Sequence, residues 1–219
     1  MNPPGRPKGE YRSAQHEGSP VSTLRRLAAL ALVWALAACN PNSGDWTLYD
    51  VSGHVPDLRF SLSAAGGRTV TQADVQGKTV LMFFGYASCP DVCPTTMAQL
   101  NEVMTRLGPQ AEQVRILFVS VDPHRDDPDT LQAYVDAFSP NALGVTGTER
   151  QVADLARRYR VAYQIEKPRP GDDADVYEVT HSRGIYIFDQ RGRARLLASD
   201  SESVDALTRD IKQLLAQAS

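Results

Sequence analysis

The pattern of apolar and polar positions sets out most of a fold. Leu58-Arg59-Phe60-Ser61-Leu62 alternates apolar with polar, the period of a half-buried strand. Gly66-Gly67 marks a turn and Thr69 to Val75 returns, so the pattern predicts an N-terminal β-hairpin. Lys78 then introduces the unbroken run Thr79 to Gly85, the signature of a strand covered on both faces. Met97, Leu100, Met104 and Leu107 recur at helical spacing and stop at Gly108. Val114 to Val121 reads as a second buried strand, and Pro128 to Phe138 as a helix with Leu131, Tyr134, Val135 and Phe138 on one side. Leu143 to Val145 predicts a short strand, Thr148 to Tyr159 a helix, and Val161 to Ile165 a strand. Lys167 to Asp175, rich in Pro, Gly and Asp, reads as a loop. Gly184 to Phe188 and Arg195 to Ala198 predict a hairpin turned at Asp189 to Gly192, and Val204, Leu207, Ile211, Leu214 and Leu215 a closing amphipathic helix. Alternating strands and helices followed by a hairpin and a last helix make an α/β layout. A cysteine motif between its first core strand and first helix is where thioredoxin-like folds carry theirs.

The first part of the chain does not join this pattern. Arg25 and Arg26 precede a twelve-residue apolar run, Leu27 to Ala38, too short to span a bilayer but suited to the core of a secretory signal. The run ends in Leu36-Ala37-Ala38-Cys39, which resembles a bacterial lipobox, whose cysteine becomes an acylated N-terminus. Residues 1–38 are accordingly expected to be a lipoprotein-type signal peptide, with Cys39 lipidated and residues 39–56 a tether. Several acyl chains, at about 0.8 kcal/mol per buried CH₂, anchor a protein without a transmembrane helix. Residues 1–20 are polar and aperiodic, with Pro3, Pro4, Gly5 and Pro7, and translation is expected to begin at Val21.

Composition changes this picture in two places. The 219 residues, 42 % hydrophobic and 22 % charged, suit one globular domain with a substantial core. Net charge is −3, but residues 1–38 hold five basic and two acidic residues, leaving the remainder at −6. A body this acidic excludes a basic nucleic-acid footprint. The three cysteines are Cys39, Cys89 and Cys93, an odd number that a purely structural disulfide set does not explain.

The chemistry centres on Cys89-Pro90-Asp91-Val92-Cys93. Cysteines four apart at a helix start share a face, about 5–6 Å between Cβ atoms. That spacing admits a disulfide or a shared metal ion. The helix N-terminus favours thiolate, which is both the metal ligand and the redox nucleophile. Two functions therefore stay open, metal binding and thiol–disulfide exchange. Of the four histidines, His16 falls in the leader, His54 in the tether and His124 in a polar loop. His181 lies between the long polar loop and the strand starting at Gly184, although a lone histidine in such a position is more often structural than ligating. Two thiolates with one imidazole suit Cu(I) or Cu(II); zinc ranks lower because no substrate pocket or adjacent base can be named. Asp122, at a strand end, either orients a ligand or caps the turn, and Asp91 reads as a helix-start residue. Met97 and Met104 read as core rather than thioether ligands.

The segments Phe83 to Thr96, Phe118 to Asp126, Leu143 to Gly147 and Val179-Thr180-His181-Ser182 resemble the Sco/SenC family, in order and spacing, over about Phe60 to Leu215. The resemblance implies a thioredoxin-like domain over 57–219 that binds one copper ion through Cys89, Cys93 and His181, with Asp122 and Asp91 as outer-layer candidates. One departure is Thr180, where many members carry an acidic residue, which bears on the surroundings of the ligand rather than the ligand itself. The implied role is a metallochaperone for the dinuclear copper centre of cytochrome c oxidase, at the bacterial inner membrane and facing the periplasm. Implied partners are the copper-centre subunit of the oxidase and another periplasmic copper chaperone or thiol reductase. Nucleic acid is not among them, and the membrane is reached through the lipid. The alternatives are a thiol–disulfide oxidoreductase acting through Cys89 and Cys93, which would be the chain's one enzymatic activity, and a copper or redox sensor.

Overall fold

The computed structural model describes residues 44–166, 171, 173 and 177–217. The expected signal peptide, Cys39 and most of the loop 167–175 lie outside the described residues. Strand β1 (Tyr49–Asp50) is followed by the hairpin β2 (Ser61–Ala64) and β3 (Arg68–Thr71). Then come β4 (Thr79–Gly85), α1 (Val92–Leu107), β5 (Val114–Ser120), α2 (Pro128–Asp136), β6 (Ala142–Val145) and α3 (Glu149–Arg158). The chain closes with β7 (Tyr163–Ile165), β8 (Val179–His181), β9 (Ile185–Phe188), β10 (Ala194–Ala198) and α4 (Val204–Ala216). The result is the thioredoxin-like α/β fold that the sequence led us to expect.

The central sheet has the order β1-β10-β9-β4-β5-β6. β4, β5 and β6 run parallel, while β9, β10 and β1 alternate antiparallel beside them. All seven residues of β4 are buried, because layers cover both of its faces. α1 and α4 pack on each other, and α2 packs on β6 and the β2–β3 hairpin. Phe83, Phe84, Phe118, Phe188, Met97 and Leu100 are among the large side chains filling the core, so Met97 is packing as expected, and Met104 is also buried.

The helix ends follow local chemistry. Asp127 caps α2 by accepting from the N–H groups of Asp129 and Thr130, Thr148 and Gln151 form a reciprocal capping box on α3, and Ser203 caps α4 through Ala206 N–H. Asp91, the residue before α1, makes no side-chain cap, which leaves that helix's first N–H groups available to other acceptors.

Three details depart from the sequence pattern. In the expected hairpin, Leu58, Phe60 and Leu62 are buried as the alternation predicts, but only Ser61–Ala64 pairs with Arg68–Thr71. Beyond Thr71 the chain turns into a 3₁₀ helix, Gln72–Val75, because the side chains and backbones of Thr71 and Asp74 cap each other. The hairpin also bridges to β6 through Ser63 and Thr146, which covers that sheet edge. Secondly, Val179–His181 is a strand of its own, paired with β7. Thirdly, the tether was expected to run to residue 56, yet the folded unit begins at Gly44. Leu48 is buried, Trp46 packs on the core, and Tyr49–Asp50 adds an edge strand to β10.

Burying that segment requires partners for its backbone. The N–H groups of Thr47 and Leu48 both donate to Oδ2 of Asp210, 2.7 and 2.8 Å away, and Asp210 is fully buried on α4. Asp210→Ala leaves two donors without an acceptor and is expected to cost about 1–3 kcal/mol. At about 2–4 °C per kcal/mol for a domain of this size, thermal denaturation should show a loss of several degrees, with Asp210→Asn losing less because its amide oxygen still accepts.

Candidate metal centre

The register of the sheet builds the site. Phe83 of β4 lies opposite Ile185 of β9, so the end of β4 and the beginning of β9 share one edge of the sheet. Gly85 leads from that edge into the loop Tyr86 to Asp91, which carries Cys89, and then into α1, which carries Cys93. On the neighbouring strand the chain arrives at the same edge through β8, which ends at His181. The pairing of β8 with β7, Tyr163 opposite His181, fixes the direction of approach.

Cys89 is half-buried, Cys93 fully buried, and both thiols are free. The sulfur of Cys93 is 3.6 Å from Nε2 of His181. The two sulfurs and a ring nitrogen of His181 all lie within 4.8 Å of one another, close enough to share one ion. Among the described residues no other cluster of three such side chains is brought together. The other two described histidines play no part in it. His54 bonds the carbonyl of Ser52, and His124 is exposed with its Nε2 2.7 Å from a carboxylate oxygen of Glu149.

The imidazole is set up as a donor to metal. Its Nδ1 is 2.9 Å from the carbonyl oxygen of Ser182. A carbonyl only accepts, so Nδ1 carries the proton and Nε2 presents its lone pair to the sulfurs. Burial holds the ring's pKa below the ordinary histidine value, the hydrogen bond to Ser182 opposing only in part. The rings of Phe83 and Tyr86 stand edge-on to the imidazole, at 5.8 and 6.1 Å between centroids, and limit its rotation.

The two thiols differ. Burial works against ionisation of Cys89, but the backbone N–H groups of Asp91 and Cys93 and the side chains of Cys93 and Tyr86 outweigh it, and its pKa falls below the ordinary thiol value. The sulfur of Cys89, 3.5 Å from Cys93 N, thereby takes the place of the missing α1 cap. Deeper burial pushes Cys93 strongly the other way, the neighbouring Cys89 adding to it against a backbone hydrogen bond at Tyr86. One accessible, acidic thiol thus stands beside one dry, reluctant thiol, and a soft cation would hold both as thiolates.

Gly85 is required by space rather than by backbone angle. A Cβ there would lie 2.8 Å from the Cys93 sulfur and 2.9 Å from Cζ of Phe118. Asp126 fixes the cysteine loop from below. Buried, it accepts from Ala87 N–H at 2.9 Å and Ser120 Oγ at 2.6 Å, tying the loop to the end of β5. Burial raises its pKa, with the Ser120 and Ala87 bonds pulling it back. Sequence reasoning gave Asp126 no role, although a serine closing an apolar strand six residues before an acid is a signal for a buried polar pair.

The outer-layer candidates divide. Asp122 is fully buried, but its carboxylate takes Tyr177 Oη at 2.7 Å and Arg125 Nε at 2.5 Å, rather than the ring of His181, whose Nδ1 is held by Ser182. Asp91 is exposed and acts on Cys89 through its backbone N–H, not its carboxylate. Thr180 is exposed on the opposite face of β8 from its neighbours, so the missing acidic residue lies outside the ligand cluster.

Known proteins resemble this chain over most of its length. A model of the SCO1/SenC family matches residues 53–216. The mouse protein described as "Protein SCO2 homolog, mitochondrial" is 32 % identical over 212 residues, covering 92 % of this chain and 82 % of its own length. The copper-bound structure of ScoI from Bradyrhizobium japonicum is 33 % identical with a TM-score of 0.65, covering 73 % of this chain and 99 % of that one. Apo Sco1 from Thermus thermophilus is 34 % identical with a TM-score of 0.68, covering 78 % and 99 %. The chain belongs to the SCO1/SenC family.

Proposed function

We propose that this chain is a metallochaperone that carries one copper ion on Cys89, Cys93 and His181 and delivers it to the dinuclear copper centre of cytochrome c oxidase during assembly. The observation that carries the reading is the convergence of two thiols and a tautomer-fixed imidazole within 4.8 Å. The donor set fits the cargo: soft sulfur favours Cu(I) and imidazole accommodates Cu(II). Copper bound to a relative that is 33 % identical, ScoI of Bradyrhizobium japonicum, supports the same assignment. Delivery proceeds by exchange of ligands. The copper-centre subunit's donors replace the chain's own one at a time, beginning at the half-exposed Cys89, so the ion is never released to water.

Attachment to the membrane belongs to the same reading. Acylated Cys39 holds the domain at the inner membrane, facing the periplasm, where an exported oxidase subunit is within reach. Among the described residues no helix is long and apolar enough to cross a membrane. Another periplasmic copper chaperone or a thiol reductase would supply the metal or keep Cys89 and Cys93 reduced. One observation favours a second role as a thiol–disulfide oxidoreductase: an accessible, acidified Cys89 beside a buried Cys93 is an attacking and resolving pair.

Anaerobic titration of residues 40–219 with copper should give a stoichiometry near one, and Cys89→Ala or Cys93→Ala should abolish it. His181→Ala should weaken binding by more than about 100-fold, since even indirect partners of a ligand cost 10–100-fold, while disulfide exchange by the remaining pair persists. Restored oxidase assembly by His181→Ala would reject delivery in favour of thiol exchange. Gly85→Ala should displace the Cys93 sulfur, costing about 1–3 kcal/mol of stability by overpacking together with copper affinity; unchanged copper spectra would contradict the packing argument. Fatty-acid labelling of cells should mark the wild-type chain and miss Cys39→Ser, whose domain should leave the membrane fraction.

A further inference from the structure

Arg125 makes a set of contacts that neither the core nor the ligand cluster accounts for. Its Nε bonds Oδ2 of the fully buried Asp122 at 2.5 Å. Its Nη1 donates to the backbone carbonyl of Tyr177 at 3.0 Å. The guanidinium carbon lies 3.8 Å from the centre of the Tyr177 ring and 5.5 Å from that of Tyr86. The Tyr177 hydroxyl completes the arrangement by donating to the other oxygen of Asp122, at 2.7 Å. Carrying an ion pair to a carboxylate with no exposure is a poor source of stability, and lysine could not reproduce the planar fork and the stacking together. Such a device is better understood through what it joins.

It joins the two pieces of chain that bring the donors. Tyr86 belongs to the cysteine loop. Its phenol is pushed up to about 12 by burial first and then by the Cys89 thiolate, while the backbone of Val179 in β8 pulls the other way. Its ring stands edge-on to His181. Tyr177 precedes His181 by four residues and enters β8 directly. β8 itself has three residues, and its partner is the equally short β7, outside the central sheet. A pairing this small is marginal on its own. The approach of His181 to the sulfurs therefore needs a second hold, and Arg125 supplies it from the loop between β5 and α2.

We propose that Arg125, with Asp122 and Tyr177, is a positioning clamp that sets the reach of His181 and so decides how well the site holds Cu(II) relative to Cu(I). The inference rests on the copper reading above. Loosening the clamp leaves two thiolates, which suit the soft Cu(I) better than Cu(II), and withdraws the imidazole that the harder Cu(II) favours.

The test uses Arg125→Lys and the milder Tyr177→Phe, each in the wild-type and in the His181→Ala background, with CuCl₂ and with Cu(I) added anaerobically. In the wild-type background Cu(II) affinity should fall by roughly 10–100-fold, with a shifted thiolate-to-Cu(II) absorption band, and Cu(I) affinity should fall much less. In the His181→Ala background neither substitution should add anything, because a residue acting through His181 has nothing left to act on. Equal losses in both backgrounds, equal losses for the two oxidation states, or a lowered melting temperature with unchanged copper spectra would overturn the clamp. A wild-type chain that takes up no copper would overturn the carrier function and the clamp with it, whereas a copper-binding wild type with indistinguishable variants would overturn the clamp alone.

Discussion

Everything at the site depends on one register, the antiparallel pairing of β4 with β9 that sets Phe83 opposite Ile185. A strand pair slips by whole residues and turns its side chains over when it does. Here slippage is prevented because both strands are buried on both faces and pair on both sides. The end of one strand and the start of the other are consequently fixed at the same sheet edge. The cysteine loop leaves from that edge and the histidine strand arrives at it. Residues 88 positions apart in the chain thus come to 3.6 Å, the buried Cys93 on one side and the half-buried His181 on the other.

Around that convergence the three donors have different surroundings. This chain leaves the acidified Cys89 half-exposed and packs the fully buried Cys93 sulfur close against Gly85. Ser182 fixes which nitrogen of His181 faces the sulfurs. Asp126 and Asp122 then secure the two neighbouring segments, the first through the backbone of Ala87 and the second through Tyr177. Neither carboxylate joins the cluster of Cys89, Cys93 and His181.

The sequence made the central strands legible because continuous apolar runs, β4 and β5, have no other use in a chain of this composition. α1 was equally clear from Met97, Leu100, Met104 and Leu107. The cysteine pair announced itself through its spacing, but His181 did not: alone it was one histidine in a polar stretch, and the family resemblance distinguished it. What stayed hidden has a common cause. The segment Gly44 to Asp50, β1 included, was read as tether because Leu48 is its one buried side chain and because its backbone depends for partners on Asp210, some 160 positions away. β8 was hidden because three residues carry no periodicity. Arg125, Asp126 and Tyr177 look like ordinary surface residues until the fold turns them toward one another. Long-range polar contacts leave no local pattern, and the supports of this site are made of them.

X-ray absorption at the copper edge of the Cu(I)-loaded chain counts the donors around the ion. Two sulfur scatterers and one imidazole nitrogen are expected, the nitrogen shell disappearing in His181→Ala while both sulfurs remain. Sulfur ligands alone in the wild-type chain, or a nitrogen shell that survives the loss of His181, would contradict this donor set.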